Sequence, residues 1–296
     1  MVATAKPQTV KRALASATRR LRERYSESPR LDAEILLGEA LGVRREALYA
    51  EPERELTADE RELFEGFIAR RAKREPIAYI VGRKHLRGLE LQLNENTLIP
   101  RPETETLVEV ALEKLAECGK QTPRVLDLGT GSGAIALALA SEHPEVRVVA
   151  TDVHPAPLEM ARLNAARLGL AGRVEFEVSD VYDDLPRGGR FDLIVSNPPY
   201  VTTDSLRRLS INVRGFEPHV ALLGGRRGLD FYHRIVPGAP EFLEPGGWLA
   251  VEIADTKFIE VMSIFVDTGR FVEIDLRNDL GGLPRVVLGR EKPAGD

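Results

Sequence analysis

The sequence has little cysteine, no long apolar run and no clustered histidine. Its single cysteine, Cys118, excludes an internal disulfide and leaves a cysteine-based zinc site unexpected. No run approaches 18 apolar residues, so a membrane-spanning helix is not expected. The start, Met1 to Thr9, lacks the apolar core of a signal peptide, which predicts a cytoplasmic protein. The five histidines are scattered without ligand-like spacing, so we expect no metal site.

Charge is divided unevenly along the 296 residues. The chain carries 41 basic and 46 acidic residues, a net charge of −5. Residues 1–85 hold 18 Lys/Arg and 14 Asp/Glu, which is +4, and the remaining 23 and 32 give −9. The basic first part is compatible with a docking surface for an acidic partner or RNA, and equally with a solvated helical surface. Overall acidity argues against non-specific coating of nucleic acid.

The first 80 or so residues predict a small helical bundle. Ser28-Pro29 has the form of an N-cap and first helical residue, and Gly42 would end the helix that follows. Thr57 and Glu60 have the spacing of a capping box. No strand pattern interrupts this stretch. We therefore assign residues 1–85 to a helical domain.

Strands and helices alternate in the rest of the chain. Leu89, Leu91 and Leu93 alternate with polar residues before the turn-like Asn94–Asn96, which predicts a hairpin linker over residues 86–102. Residues 103–296 contain seven apolar strand candidates, mostly separated by helical stretches: Arg124–Leu128, Val146–Asp152, Val174–Ser179, Phe191–Ser196, Trp248–Ile253, Phe271–Leu276 and Arg285–Leu288. This alternation predicts an α/β domain whose mostly parallel sheet has helices on both faces.

A glycine-rich turn follows the first of these strands. Gly129, Thr130, Gly131, Ser132 and Gly133 stand between the strand and a helix of small apolar residues. Glycines permit a tight turn and a close approach of the backbone to a ligand. The helix that follows presents free N–H groups. The loop predicts a nucleotide-like cofactor, although it also satisfies the dinucleotide pattern of dehydrogenases.

Two further acids end neighbouring strands. Asp152 lies 19 residues beyond Gly133, where an acid accepts hydrogen bonds from both hydroxyls of a ribose. Asp180 and Val181 follow the next strand and would border an adenine, with Asp180 accepting from the amine and Val181 packing on the ring. A loop aspartate is an equally good interpretation of Asp180.

The most informative motif is Asn197-Pro198-Pro199-Tyr200, at the end of the fourth strand. Ligands of such sheets bind beyond the carboxyl ends of the strands. The two prolines stiffen the loop, and the carboxamide oxygen of Asn197 beside the Pro198 carbonyl offers two acceptors to an –NH2 group. Tyr200 adds a flat ring that can cover a planar amide or base.

Together with the glycine loop, this motif resembles S-adenosylmethionine-dependent methyltransferases that modify amino or amide nitrogens. Several other segments make the resemblance more specific, namely Pro29–Glu34, Arg74–Gly82, Leu98–Glu105, Phe216-Glu217-Pro218 and Ala221-Leu222. These are similar to release factor glutamine methyltransferases, the HemK or PrmC type. The resemblance covers residues 28 to 290, in the order found in that family.

Three departures from the family pattern concern local shape. His85-Leu86-Arg87-Gly88 lacks the usual aromatic residue before its glycine, Ala254 stands where a glycine usually follows Glu252-Ile253, and Pro284 is an added proline. They leave the shape of the hinge and of the last sheet edge open, and they do not touch the chemistry.

The resemblance implies a Rossmann-like class I methyltransferase sheet, S-adenosyl-L-methionine as cofactor and class I release factors as partners. The helical domain would grip the factor, and the catalytic domain would methylate the glutamine amide of its Gly-Gly-Gln loop. The cofactor would be held by residues 129–133, Asp152, Asp180, Val181 and Asn197. The substrate would lie against Asn197, Pro198, Pro199 and Tyr200, with Asn197, Pro198 and Tyr200 carrying catalysis.

The residues themselves support that chemistry. An amide nitrogen is a poor nucleophile because its lone pair is delocalised into the carbonyl group. If its –NH2 group donates to Asn197 Oδ1 and to the Pro198 carbonyl, these acceptors stabilise positive charge that grows on nitrogen. They also hold the nitrogen at a near-attack distance of roughly 3–3.5 Å from the methyl carbon. No strong base, metal or covalent intermediate is required.

Other functions remain open at this point. The same acceptors suit an adenine methyltransferase, although no target-recognition domain is visible and the catalytic part is acidic. A glutamine methyltransferase of a ribosomal protein is a closer alternative. A non-catalytic cofactor-binding protein and a dehydrogenase are disfavoured by the intact Asn197–Tyr200 motif. We expect neither a membrane nor a nucleic acid as direct substrate.

Overall fold

The protein divides into two compact units in a computed structural model that describes residues 8–24, 26–186 and 188–292. One unit comprises the chain up to Gly82 together with Ser210–Phe216, and the other comprises Arg83–Leu209 and the chain from Glu217 onwards. No helix within the described ranges is long and apolar enough to cross a membrane.

The first unit is a bundle of helices. Five of them are α1 (Val10–Glu23), α2 (Pro29–Leu41), α3 (Ala47–Ala50), α4 (Ala58–Ala72) and α5 (Ile77–Val81). Their core is a cluster of buried aliphatic side chains and Phe64. A salt bridge of 2.7 Å between Arg71 Nε and Asp32 Oδ2, both nearly buried, joins α4 to α2. The predicted helical bundle is confirmed.

The helix ends follow the sequence signals. The Thr57 hydroxyl accepts from Glu60 N and the Glu60 carboxylate accepts from Thr57 N, which completes the predicted capping box of α4. Gly42 ends α2 in the left-handed conformation at φ 63°, where a residue without Cβ is favoured. Ser28 is the N-cap of α2, but its side chain makes no capping hydrogen bond.

The second unit contains all nine strands of the described chain. They are β1 (Arg83–Leu86), β2 (Leu89–Gln92), β3 (Arg124–Leu128), β4 (Arg147–Asp152), β5 (Val174–Val178), β6 (Phe191–Ser196), β7 (Leu243–Glu252), β8 (Phe271–Asn278) and β9 (Pro284–Glu291). The remaining helices are α6 (Thr104–Glu117), α7 (Ala134–Glu142), α8 (Pro155–Arg167), α9 (Thr203–Leu206), α10 (Ile211–Arg214), α11 (Tyr232–Phe242) and α12 (Phe258–Asp267), of which α10 belongs to the first unit.

Seven strands form one sheet in the order β5-β4-β3-β6-β7-β9-β8. The five strands β3 to β7 run parallel, and β9 pairs antiparallel with β7 and β8. From β3, the strands β4 and β5 follow on one side and β6 and β7 on the other, so the strand order reverses between β3 and β6. A crevice opens at such a switch point beyond the carboxyl ends of the strands. The predicted α/β class with a mostly parallel sheet is confirmed.

Two apolar clusters cover the two faces of this sheet. One contains buried residues of α6 and α7, and the other contains buried residues of α11 and α12. The strands between them are apolar at nearly every position, as in β6, which is buried throughout. The packed core therefore holds the strand ends in place, and this fixes where the loops after them begin.

The hairpin of β1 and β2 is present, but its turn differs from the predicted one. Leu86 pairs with Leu89, so Arg87 and Gly88 form a two-residue turn, with φ values of 46° and 77°. Arg87 adopts this unfavourable φ while its guanidinium binds Glu109 and Glu142. Asn94–Asn96 lies beyond β2. The sequence pattern placed the turn wrongly because the turn carries arginine where asparagine or aspartate is usual.

Asn164 connects this hairpin to the glycine-rich loop. Its Oδ1 accepts from Gln92 N at 2.7 Å, and its Nδ2 donates to Gln92 O at 3.1 Å and to Ser132 O at 2.9 Å. The side chain is completely buried in α8. Three backbone groups therefore depend on one amide for their hydrogen bonds.

Replacing Asn164 with alanine should lower the free energy of unfolding of the second unit by about 3 kcal/mol, because buried backbone groups lose their partners. Fluorescence during urea unfolding measures this unit specifically, because the only tryptophan, Trp248, is buried in its core. Asn278→Ala, an exposed change at the end of β8, is the matched control and should stay within about 0.5 kcal/mol. Equal stability of the two variants would contradict this role of Asn164.

Candidate active site

A cleft opens at the carboxyl ends of β3, β4 and β6, inside the second unit. It encloses about 780 Å³ between its lining atoms, the part open to solvent included. Eight of the residues predicted for the site line it: Gly129, Gly131, Asp152, Asp180, Val181, Asn197, Pro198 and Pro199. The fold thus brings together, at one edge of the sheet, residues that are up to 70 positions apart in the sequence.

The glycine loop presents bare backbone to this cleft. Gly129 and Gly131 have φ values of 73° and 57°, and a Cβ at either position would meet no atom within 4 Å. The open space beside both glycines is therefore available to a ligand rather than filled by protein. Behind the loop, the Oδ2 atom of buried Asp127 accepts from the Thr130 hydroxyl at 2.7 Å and from Ala136 N at 3.2 Å. Burial raises the pKa of Asp127 to about 7.

Asp152 extends from the end of β4 towards the glycine loop. Its Oδ2 accepts from Gly131 N at 3.1 Å, and its Oδ1 accepts from His154 N at 3.1 Å. Burial raises the pKa of this carboxyl, while the backbone hydrogen bonds oppose the shift. Two backbone donors thus orient the carboxylate in the cleft wall and leave further lone pairs for a ligand.

Three residues of the predicted cofactor loop do not line the cleft. Thr130 is buried against Asp127, and the buried Ser132 accepts the hydrogen bond from Asn164 with its carbonyl oxygen. Gly133, at φ 83°, is the N-cap of α7, and a Cβ there would approach Leu137 and Ala161 within 3.0 to 3.2 Å. These residues hold the shape of the loop.

Asp180 and Val181 line the cleft from the segment after β5. Asp180 Oδ1 accepts from Arg234 at 2.8 Å, and Arg234 also donates to the Asp180 carbonyl oxygen at 3.2 Å. Val181 adopts a φ of 59°, which is strained for a branched side chain, and packs beside the core. One oxygen of the Asp180 carboxylate is therefore already hydrogen-bonded to Arg234.

The Asn197–Tyr200 loop leaves β6 with its amide in a defined orientation. Asn197 Nδ2 donates to the hydroxyl oxygen of Thr104 at 3.3 Å, so Oδ1 is the free end of the carboxamide. Pro198 and Pro199 line the cleft, whereas Tyr200 does not. Tyr200 is half-buried, and burial raises its pKa to about 12, so the phenol stays protonated.

A glycine-rich turn supports this loop from behind. A Cβ on Gly224 would lie 2.3 Å from the Pro199 carbonyl oxygen, and one on Gly228 would lie 2.3 Å from that of Tyr200. Val201 N donates to Leu222 O at 2.8 Å and closes the contact. Only glycine permits so close an approach, so the turn fixes the backbone of the loop.

Glu252, the last residue of β7, is a site neighbour that sequence reasoning missed. It is 1% exposed, and neither of its carboxylate oxygens has a hydrogen bond of standard geometry among the described residues. Burial raises its pKa to about 7, against the lowering effects of the Thr104 hydroxyl, Arg285 and Arg101. The available signal was a charged residue directly after the apolar run Trp248–Val251.

Sequence reasoning also missed several other parts of the cleft wall. Asn96 and Leu98 come from the segment after β2, and Phe231 and Ile235 come from the start of α11. Pro237 and Pro240 lie inside α11, and prolines argue against a helix in a sequence pattern. No spacing in the sequence links these residues to the glycine loop.

Known structures share this fold. A methyltransferase from Pyrococcus furiosus superposes with a TM-score of 0.50 at 21% sequence identity, covering 71% of this chain and 92% of that one. Residues 104–212 match the family model of the methyltransferase small domain, and residues 12–82 match that of the PrmC N-terminal domain.

The sequence relatives extend over nearly the whole chain. The release factor glutamine methyltransferase of Koribacter versatilis is 44% identical, over 96% of this chain and 99% of the relative. That of Geobacter sulfurreducens is 42% identical, over 97% of this chain and 99% of the relative. With identity at this level across both units, and with the methyltransferase fold behind the Asn197–Tyr200 loop, the chain belongs to the release factor glutamine methyltransferase family.

Proposed function

We propose that this protein transfers a methyl group from S-adenosyl-L-methionine to the side-chain amide nitrogen of the glutamine in the Gly-Gly-Gln motif of class I release factors. The observation that carries the proposal is the orientation of Asn197. Its amide nitrogen is bound to Thr104, so its oxygen is left as an acceptor at the edge of the cleft. Such an oxygen beside the Pro198 carbonyl complements an –NH2 group.

The cleft has the features that a nucleoside cofactor requires. Gly129 and Gly131 leave space for a ligand against their backbone, and Asp152 offers a carboxylate to ribose hydroxyls. Asp180 and Val181 would border the adenine, and Thr130, Ser132 and Gly133 would keep the loop in shape. When bound, S-adenosyl-L-methionine supplies an electrophilic methyl group on a sulfonium centre.

The chain's own residues would orient and stabilise the amide. The substrate –NH2 group donates to Asn197 Oδ1 and to the Pro198 carbonyl oxygen, so positive charge that develops on nitrogen meets two fixed negative dipoles. Pro199 stiffens the loop, and Tyr200 supports it as a neutral phenol, since burial keeps its pKa at about 12. The proton released from the amide passes to water.

The segments of the chain would have different roles. Residues 1–85 would dock the release factor, residues 86–102 would connect, and residues 103–296 would catalyse. The +4 charge of residues 1–85 supports an electrostatic contribution to docking. The reaction would take place in the cytoplasm, where release factors act, without a membrane or a nucleic acid as substrate.

Cofactor identity can be tested at Asp152. Asp152→Ala should weaken the binding of S-adenosyl-L-methionine by roughly tenfold or more, because charge-assisted hydrogen bonds are lost. Isothermal calorimetry on the whole protein measures this, with Asp267→Ala, an exposed acid at the end of α12, as the matched control. Tight binding of NAD to the unaltered protein would contradict the assignment.

The acceptor role can be tested at Asn197. Asn197→Ala should reduce turnover by about 10²-fold, comparable with the loss of one oxyanion-hole donor, whereas cofactor affinity should change much less. Peptide mass mapping of an incubated release factor locates the added methyl group on the glutamine. Near-normal turnover in this variant would disprove the mechanism. If the unaltered protein methylated adenine instead of the release factor, the proposed substrate would be wrong.

The docking role can be tested on α1, where Arg19 and Arg22 are exposed. Reversing both charges (Arg19→Glu with Arg22→Glu) should raise KM for an intact release factor several-fold and leave kcat nearly unchanged, with a smaller effect in high salt. A short Gly-Gly-Gln peptide provides the control, because its kinetics should not respond. An unchanged KM for the intact factor would contradict electrostatic docking through α1.

A further inference from the structure

Glu252 is a buried acid that the proposed mechanism does not use. It follows Val251, which pairs in the parallel register with Ser196, so it lies at the level of Asn197 on the neighbouring strand. Its side chain is 1% exposed, and neither carboxylate oxygen has a hydrogen bond of standard geometry among the described residues. Burying a carboxyl without hydrogen bonds lowers the stability of the folded protein, so a functional reason for Glu252 is expected.

Thr104 stands between Glu252 and Asn197. Its hydroxyl oxygen accepts from Asn197 Nδ2 at 3.3 Å, and the same hydroxyl lies near enough to the Glu252 carboxylate to lower its pKa, in a contact outside standard hydrogen-bond geometry. A threonine hydroxyl has one hydrogen to donate and lone pairs to accept. When the hydrogen is directed at Glu252, only a lone pair remains for the amide of Asn197.

We infer that Glu252 is a positioning residue that acts through Thr104 to keep the Asn197 oxygen facing the substrate amide. An ionised carboxylate can only accept, so it draws the Thr104 hydrogen towards itself. The Thr104 oxygen then favours the –NH2 end of Asn197 and disfavours its oxygen. The inference rests on the proposed function, because it explains why Asn197 Oδ1, the proposed acceptor for the substrate amide, faces the cleft.

Protonation of Glu252 should remove this direction. A neutral carboxyl can donate to Thr104, which frees the Thr104 hydrogen to turn towards Asn197 and to favour a flipped amide. Since burial places the pKa of Glu252 at about 7, the directing form prevails above that pH and is lost below it. Turnover should therefore rise with pH through this range.

The surrounding charges do not neutralise Glu252 fully. Arg285 on β9 is bound to Asp279 at 3.0 Å, and Arg101, before α6, is bound to Glu217 at 2.5 Å. Glu103 raises the pKa of Glu252 further. Each nearby cation already has a carboxylate partner.

The remaining titratable neighbours are two phenols. Tyr200, in the loop after β6, and Tyr232, on α11, both keep raised pKa values, so they stay neutral near pH 7. The Tyr232 hydroxyl donates to the backbone oxygen of Glu252 at 2.8 Å and fixes its main chain rather than its carboxylate. Apart from Asp127, which lies behind the glycine loop, Glu252 is thus the described group near Asn197 whose pKa is about 7.

The kinetic test compares Glu252→Gln with the unaltered protein at about pH 6 and pH 8. The variant should lose roughly 10- to 100-fold in kcat at the higher pH and should show no rise between the two. Cofactor and release factor are kept saturating, because Asp127 also has a pKa of about 7 and lies behind the cofactor loop. Glu291→Gln, a buried acid of β9 paired with Arg270, is the matched control and should keep the pH dependence.

Thr104 variants test the connection itself. Thr104→Val should resemble Glu252→Gln in rate and in its flat pH profile, whereas Thr104→Ser retains the hydroxyl and should restore both. If Glu252 had only a structural role, Glu252→Gln would lower the stability of the protein without changing the pH dependence of kcat. Glu252→Gln with unaltered kcat and unaltered pH dependence would overturn the inference.

A second measurement does not depend on methyl transfer. The side-chain –NH2 signals of Asn197, assigned by their absence in Asn197→Ala, should titrate near pH 7 in ¹⁵N NMR spectra of the full chain, and should not titrate in Glu252→Gln or Thr104→Val. Absence of the titration in the unaltered protein would overturn the positioning role. If the titration is present but no release factor is methylated at any pH, the proposed function fails and the positioning role stands.

Discussion

The hydrogen bond between Asn197 and Thr104 is the contact on which the site depends. A carboxamide is nearly symmetric in shape, and its two ends have opposite hydrogen-bonding character. The bond to Thr104 at 3.3 Å removes this ambiguity and leaves an acceptor at the cleft. Because α6 begins at Thr104 and β6 ends at Ser196, the packing of this helix on the sheet decides the chemistry of the loop.

The second unit supports this contact with interactions that have no direct part in the reaction. Asn164 holds the hairpin and the glycine loop together, and Gly224 and Gly228 allow a turn to press against the Pro199 and Tyr200 carbonyl groups. Each is a case in which one residue type is required by hydrogen bonding or by available space. Such supporting residues keep the geometry of a site within the narrow limits that positioning requires.

Buried acids form a second theme of the site. Asp127 and Glu252 lie in neighbouring parts of the sheet, and burial raises the pKa of each to about 7. Asp127 accepts from Thr130 in the glycine loop and from Ala136 N in α7, whereas Glu252 has no hydrogen bond of standard geometry within the described ranges. Both carboxyls are therefore buried with raised pKa values, but the hydrogen bonds of Asp127 hold the glycine loop, whereas the carboxylate of Glu252 is left to respond to pH.

Much of the fold could be predicted from local pattern. The strands β3 and β6 and the helix α7 have the bounds that their apolar runs indicate, because a buried parallel strand needs an uninterrupted apolar segment. The capping box at Thr57 was equally local. Patterns failed where the decisive partner is distant. Arg87 takes a turn position with its guanidinium held by Glu109 and Glu142, and α11 contains two prolines within a well-buried helix.

The sequence by itself determined the bounds of β3 and β6, the glycine loop and the Asn197–Tyr200 motif, because these are encoded in adjacent residues. It also indicated the family and with it the kind of reaction. Only the tertiary structure decided which predicted residues meet in the cleft, that Thr130, Ser132 and Gly133 serve the loop from behind, and that Tyr200 lies outside the cleft wall. It alone brought Thr104 and Glu252 to Asn197. The physical reason is that hydrogen-bond direction and burial depend on neighbours that the chain supplies from as far as 148 positions away.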